Sequence, residues 1–148
     1  MYREIVKYLN LNTTRSALGV SPTLSHHKFS SCASDVGQRF GLSQDMFGLT
    51  YLYVGALLER GVKVLIYVGE YDWICNWVSN QEWTMNLEWS GQDEFRSSNG
   101  GQLKEWYSKD GSTAGRTRNG GGLTFATIAG AGHMVCIVFL SFIMSLKR

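Results

Sequence analysis

The segment that most constrains this fold is Val62-Lys-Val-Leu-Ile-Tyr-Val68, β-branched or apolar at nearly every position. A strand that is solvated on one face alternates, whereas one buried on both faces, as in a parallel sheet, does not. This run therefore predicts a doubly buried strand, ended by Gly69. Asn76 is a good N-cap, and Trp77 to Leu87 behind it reads as a helix. Strand, short loop and helix in that order make an α/β unit.

The rest of the chain fits around that unit. Ile5, Val6 and Leu9 give Tyr2 to Leu9 a short helical stripe. A second short helix is expected after Asn12, with Thr13 or Thr14 near its start and Gly19 and Pro22 at its end. Ser30 to Ala33 reads as a turn. Between Val36 and Leu58 the apolar spacing is mixed, which predicts one or two helices closed by Gly61. The Gly, Ser, Thr and Asn-rich stretch from Ser97 to Gly122 should hold a hairpin. Its first strand is Leu103 to Tyr107, and its turn lies near Asp110-Gly111. Leu123 to Ile128 is the last expected strand, followed by the small-residue turn Ala129-Gly-Ala-Gly132. There is no internal repeat.

Composition narrows the function classes. With 148 residues, 44% of them apolar, the chain can form one modest packed domain. Five tryptophans, seven tyrosines and seven phenylalanines argue against a disordered chain. The net charge is +2 without a Lys/Arg cluster, so no nucleic-acid partner is expected. Met1-Tyr-Arg-Glu-Ile-Val-Lys lacks the continuous apolar core of a secretory signal, which leaves a cytosolic protein or a missing true N-terminus. Met134 to Leu146 is a 13-residue run, apolar except for Ser141 and Ser145. A membrane span needs about 17–25 such residues, so a buried helix or an interfacial segment is expected instead. Three cysteines, Cys32, Cys75 and Cys136, show no C-x-x-C spacing, which speaks against a structural zinc site.

Two residues stand apart chemically. Asp72 follows the Val62–Val68 strand and His133 the Leu123–Ile128 strand. Active sites in open α/β sheets lie at the carboxyl ends of the strands. In α/β-hydrolases the catalytic triad runs serine, acid, histidine along the chain, and Asp72 and His133 keep that order. His133 would be the general base. Asp72 would accept its other N–H, fix the tautomer and stabilise the imidazolium. By position alone, a capping aspartate and a satisfied histidine are the more ordinary explanation of the two.

The surrounding words go further. Val64-Leu-Ile-Tyr-Val-Gly-Glu-Tyr-Asp-Trp-Ile-Cys-Asn-Trp77 resembles the acid loop of serine carboxypeptidases, and Phe125-Ala-Thr-Ile-Ala-Gly-Ala-Gly-His-Met-Val135 their histidine loop. Glu88-Trp-Ser-Gly-Gln92 and Phe29-Ser-Ser-Cys-Ala33 also resemble family segments. The Asp-x-Ile-Cys-Asn wording is similar to the yeast vacuolar, lysosomal and plant type III branch. The likeness runs from about Tyr2 to Val135. It implies the C-terminal part of an α/β-hydrolase fold over 1–135, with an incomplete sheet and flanking helices, and a divergent apolar tail over 136–148. It also implies removal of C-terminal residues from peptides in a vacuole, lysosome or secreted space, with catalytic roles for Asp72 and His133. Cys75 and Met134 would stand at the substrate pocket wall, with an inert buried thiol as the equal alternative for Cys75, and no cofactor or metal is called for. Cys32 resembles a family cysteine whose partner lies far upstream, so here it is expected to be a free thiol.

The chain departs from the family in two ways. No Gly-x-Ser-x-Gly nucleophile elbow occurs in it. Gly111-Ser-Thr-Ala-Gly115 has Thr113 at the centre and follows the acid. In Gly19-Val-Ser-Pro-Thr23, Pro22 lacks the N–H that an oxyanion hole needs. The tail, Cys136-Ile-Val-Phe-Leu-Ser-Phe-Ile-Met, also replaces the family's usual proline, aspartate and helix. The resemblance thus implies a peptidase that is inactive without its serine. An acyltransferase of the same fold and a non-catalytic interaction fragment remain as alternatives. With part of the sheet missing, Val62 to Val68 should present unpaired backbone groups on an open side.

Overall fold

The computed structural model describes residues 2–108 and 110–135. The expectation for the apolar tail therefore falls, beyond Val135, outside the described residues. The chain divides between Gly48 and Leu49 into two compact units.

The first unit holds α1 (Tyr2–Leu9), α2 (Asn12–Ala17), a 3-10 turn at Pro22–Leu24, α3 (Ser34–Leu42) and a second 3-10 turn at Asp45–Phe47. Both N-terminal helices stand where the apolar stripe and the Gly19/Pro22 stop place them. Asn10 ties the end of α1 to a distant loop. Its Nδ2 donates to the carbonyls of Val6 (2.8 Å) and Phe29 (3.0 Å), and its Oδ1 accepts the Phe29 N–H at 2.8 Å. Arg15 reaches the Leu24 carbonyl at 2.7 Å.

The second unit holds α4 (Tyr51–Glu59), β1 (Val64–Gly69), α5 (Trp77–Asn86), α6 (Gln92–Ser97), β2 (Lys104–Tyr107), β3 (Thr113–Gly120) and β4 (Leu123–Ile128). The sheet order is β1-β4-β3-β2. β1 and β4 run parallel, from Val64 opposite Leu123 to Gly69 opposite Ile128, and the β2–β3 and β3–β4 pairs are antiparallel. This is a mixed α/β sheet with the expected hairpin in its expected place. Val36 to Leu58 resolves into two helices, α3 and α4. α6 has no counterpart in the sequence reading, because Phe95 is the only large apolar residue in its six.

The larger core cluster lies on one face of this sheet. Val68, Leu123 and Phe125 pack there with Leu58 of α4, Phe95 of α6 and the linker residues Leu87 and Trp89. Trp89 is fixed by its indole N–H, which donates to the Gly121 carbonyl at 2.9 Å. The expectation that β1 is buried on both faces is not met. Val64 and Ile66 face the core, while Leu65 and Tyr67 are 57% and 47% exposed. The reason is the placement of the helices: α4 and α5 bring Leu58, Trp77 and Trp83 to the face of Val64 and Ile66, and the opposite face is left open. Leu65 and Tyr67 line a cavity of about 290 Å³ on the other face with Trp106, Thr117, Ala126 and Ile128. Among the described residues no helix is long and apolar enough to cross a membrane.

Candidate active site

The site forms where the two parallel strands end. Past Gly69 and Ile128 the pairing continues into the loops: the Glu70 N–H donates to the Ile128 carbonyl at 3.1 Å and the Tyr71 N–H to the Ala131 carbonyl at 2.9 Å. The loops therefore approach backbone to backbone. A Cβ on Gly69 would strike the carbonyl oxygens of Ala131 and Gly132, so only glycine fits there. Gly130, at φ +70°, turns the second loop back towards the first.

Asp72 sits in the first loop, almost fully buried. Its Oδ1 accepts the Cys75 N–H at 2.9 Å, and its Oδ2 lies 2.9 Å from Nδ1 of His133. The His133 ring is 55% exposed. The Cys75 hydrogen bond, then the His133 contact, hold the Asp72 carboxyl below its ordinary range, against the opposing effect of burial. An ionised acceptor against one ring nitrogen favours the tautomer with its proton there. The other nitrogen is then free to take a proton at the exposed side.

The start of α5 braces the acid loop. Asn76 caps the helix, its Oδ1 accepting the Ser79 N–H at 2.9 Å. Asn80 donates to the carbonyls of Cys75 (3.1 Å) and Asn76 (2.9 Å). Cys75 joins the pair: one donor atom each from Asp72, Cys75 and His133 lie within 4.8 Å of one another. Cys75 is exposed and free, as is Cys32. Cys136, the third cysteine, lies outside the described residues. Met134 follows His133 directly and is 36% exposed.

A second cluster behind the loop was not anticipated. Glu70 Oε1 accepts from the Thr127 hydroxyl at 2.8 Å and from Arg116 Nε and Nη2, both at 3.3 Å. The Arg116 guanidinium lies 4.4 Å from the centre of the Trp77 ring. It ties the end of β1 to β3, β4 and α5. The only signal in the sequence was an acid two residues before Asp72; its partners lie 46 and 57 positions away.

Comparison with known proteins adds to this geometry. A sequence profile described as serine carboxypeptidase matches residues 1–138. The chain is 40% identical over 129 residues to a "Serine carboxypeptidase-like" protein of Oryza sativa subsp. japonica, covering 87% of this chain and 28% of that one. It is 37% identical to "Serine carboxypeptidase-like 48" of Arabidopsis thaliana, covering 90% and 24%. It is also 37% identical to a "Carboxypeptidase Y homolog A" of Fusarium vanettenii, covering 88% and 23%. The chain thus spans about a quarter of the length of the curated relatives it matches.

Proposed function

Because this chain belongs to the serine carboxypeptidase family, we propose that it supplies the acid and the base of a peptidase triad, with the serine contributed by residues outside this sequence. The observation that carries the reading is the 2.9 Å contact between Asp72 Oδ2 and His133 Nδ1 at the carboxyl ends of adjacent parallel strands.

In this reading Asp72 accepts the Nδ1–H of His133 and sets the ring. The opposite nitrogen removes the serine proton as the hydroxyl attacks the last peptide carbonyl, then returns it to the departing amine. Asp72 stays ionised throughout, which its lowered pKa favours. The exposed face of His133 is where such a serine would stand, and Cys75 and Met134 flank the substrate. The substrates are peptides with a free C-terminus. The setting is a vacuole, lysosome or secreted space, and these residues on their own have no activity.

Two measurements test it. The purified chain should release no C-terminal amino acid from a blocked dipeptide; release that His133→Ala abolishes would defeat the proposal. Residues 1–135 should also function when they replace the matching segment of the rice relative. There Asp72→Asn should lower kcat by about 10⁴-fold, as a wrong tautomer does in such triads. A chimera that keeps its activity with Asp72→Asn or His133→Ala rejects the assignment.

A further inference from the structure

The Asp72, Cys75 and His133 trio has a chemistry that the triad reading does not use. We propose that these three side chains form a binding site for a soft divalent cation, with Zn²⁺ the best match.

The donor set is the first reason. A thiolate, an imidazole nitrogen and a carboxylate oxygen are the three protein donors zinc takes, whereas Mg²⁺ and Ca²⁺ prefer oxygen alone. Three protein ligands and an open fourth position is the form of a zinc site accessible to water.

Geometry is the second. Bonds of about 2.0–2.3 Å in a tetrahedron put ligand atoms about 3.3–3.8 Å apart. Asp72 Oδ2 and His133 Nδ1 are already 2.9 Å apart, and one donor atom from each of the three residues lies within 4.8 Å of the others. Closing the set needs shifts of about 1 Å, within reach of side-chain rotation at Cys75 and His133, both exposed. Asp72 is the fixed member. It is buried, and the Cys75 N–H on its Oδ1 keeps Cys75 beside the carboxylate. The third ligand arrives on the neighbouring strand's loop, held there by the Glu70–Ile128 and Tyr71–Ala131 hydrogen bonds. The fold thus supplies two local donors and one distant donor before any ion arrives.

On binding, the Cys75 thiol releases its proton to solvent and sulfur donates an electron pair to the ion. The imidazole donates the lone pair of a neutral nitrogen. A neutral imidazole that gives one nitrogen's lone pair to a metal carries its proton on the opposite nitrogen, which then cannot take the serine proton. In a complete enzyme the ion would therefore suppress the base; that consequence rests on the catalytic reading, while binding does not.

The test is a titration of the reduced, purified chain with Co²⁺ as a coloured stand-in, followed by Zn²⁺ as competitor. The expected result is one equivalent bound, with a sulfur-to-cobalt charge-transfer band and tetrahedral ligand-field bands, all displaced by Zn²⁺. Cys75→Ser should remove the charge-transfer band while circular dichroism stays unchanged, because the Cys75 N–H bond to Asp72 does not involve the sulfur. His133→Ala and Asp72→Asn should each weaken binding at least about tenfold. Cys32→Ser and Cys136→Ser should leave the band intact. No band at millimolar Co²⁺, a band surviving Cys75→Ser, or affinity indifferent to both His133→Ala and Asp72→Asn would overturn the proposal.

Discussion

The two units of this chain are held together differently. Residues 49–135 are organised by a sheet. One face of β1 and β4 collects side chains from α4, α6 and the linker around Trp89, and Phe95, Leu123 and Phe125 lose essentially all contact with solvent. In residues 1–48 the only buried side chain among the described residues is Thr14, while Leu18, Val36, Phe40, Leu42 and Phe47 remain exposed. That unit relies on hydrogen bonds such as those of Asn10 and Arg15. Apolar content alone does not make a core. A sheet presents many apolar positions on one surface, whereas isolated short helices gain most of their stability from packing partners. The candidate active site is built wholly on the unit with the sheet, where side-chain positions are fixed by dense packing.

The largest effect should separate the units. Phe125→Ala empties the centre of the second unit's core and should cost about 3–5 kcal/mol, read by urea unfolding. Phe40→Ala, at an exposed position of the first unit, should stay within about 0.5 kcal/mol. Similar costs for the two would break the contrast. Gly69→Ala comes next. Its methyl meets two backbone carbonyls that cannot rotate away, so overpacking should cost about 1–3 kcal/mol. It should also part the two loops, so that the His133 ring proton shifts in NMR no longer respond to Asp72→Asn. A loop contact that survives would mean that the strand ends are looser than the core.

Much of this was readable in advance, and what was not has a physical pattern. β1, β4, the hairpin and the Asn76 cap are local signals: β-branched runs, a turn dipeptide and a capping side chain. The juxtaposition of Asp72 and His133, 61 positions apart, follows from their places after two strands and from the wording of the two loops. The exposed face of β1 is not visible in the sequence because the same apolar run serves a strand covered on both faces and one covered on a single face; only the packed helices decide. α6 has too few apolar residues to show a period. The Glu70–Thr127–Arg116–Trp77 cluster and the Asp72–Cys75–His133 donor set depend on strand order and register. A search for C-x-x-C spacing cannot find donors delivered by two separate loops.

A smaller effect probes the first unit. Asn10→Ala removes three hydrogen bonds around Phe29 and α1. Exposed bonds are worth less than buried ones, and a total of about 1–2 kcal/mol is expected. With little core behind it, that loss should appear as faster limited proteolysis between His26 and Ala33, with protection of β4 amides from hydrogen exchange unchanged. Matching losses in β4 would show that the units unfold as one.

The smallest effect is confined to the hairpin turn of the second unit. Hydrogen bonds from Ser108 and Ser112 pull the Asp110 carboxyl down to about 2. The hydroxyls of both serines and the Ser112 N–H donate to its Oδ1, the latter at 3.0 Å. The folded value lies below the ordinary 3.8, so folding favours the ionised form. The resulting stability is fully present above the unfolded value and is lost as pH falls through the folded one. The window therefore runs from about 4 down to about 2. Asp110→Asn should flatten that part of the stability–pH curve, and Ser112→Ala should raise the Asp110 titration midpoint in carboxyl-detected NMR. The carboxylate is open to solvent, so the amplitude should be small. It should appear in the amides of β2 and β3 before those of β4, because the turn joins the strand pair farthest from the core. A loss in this window shared equally by β4 would extend the rigidity of the second unit out to its last hairpin.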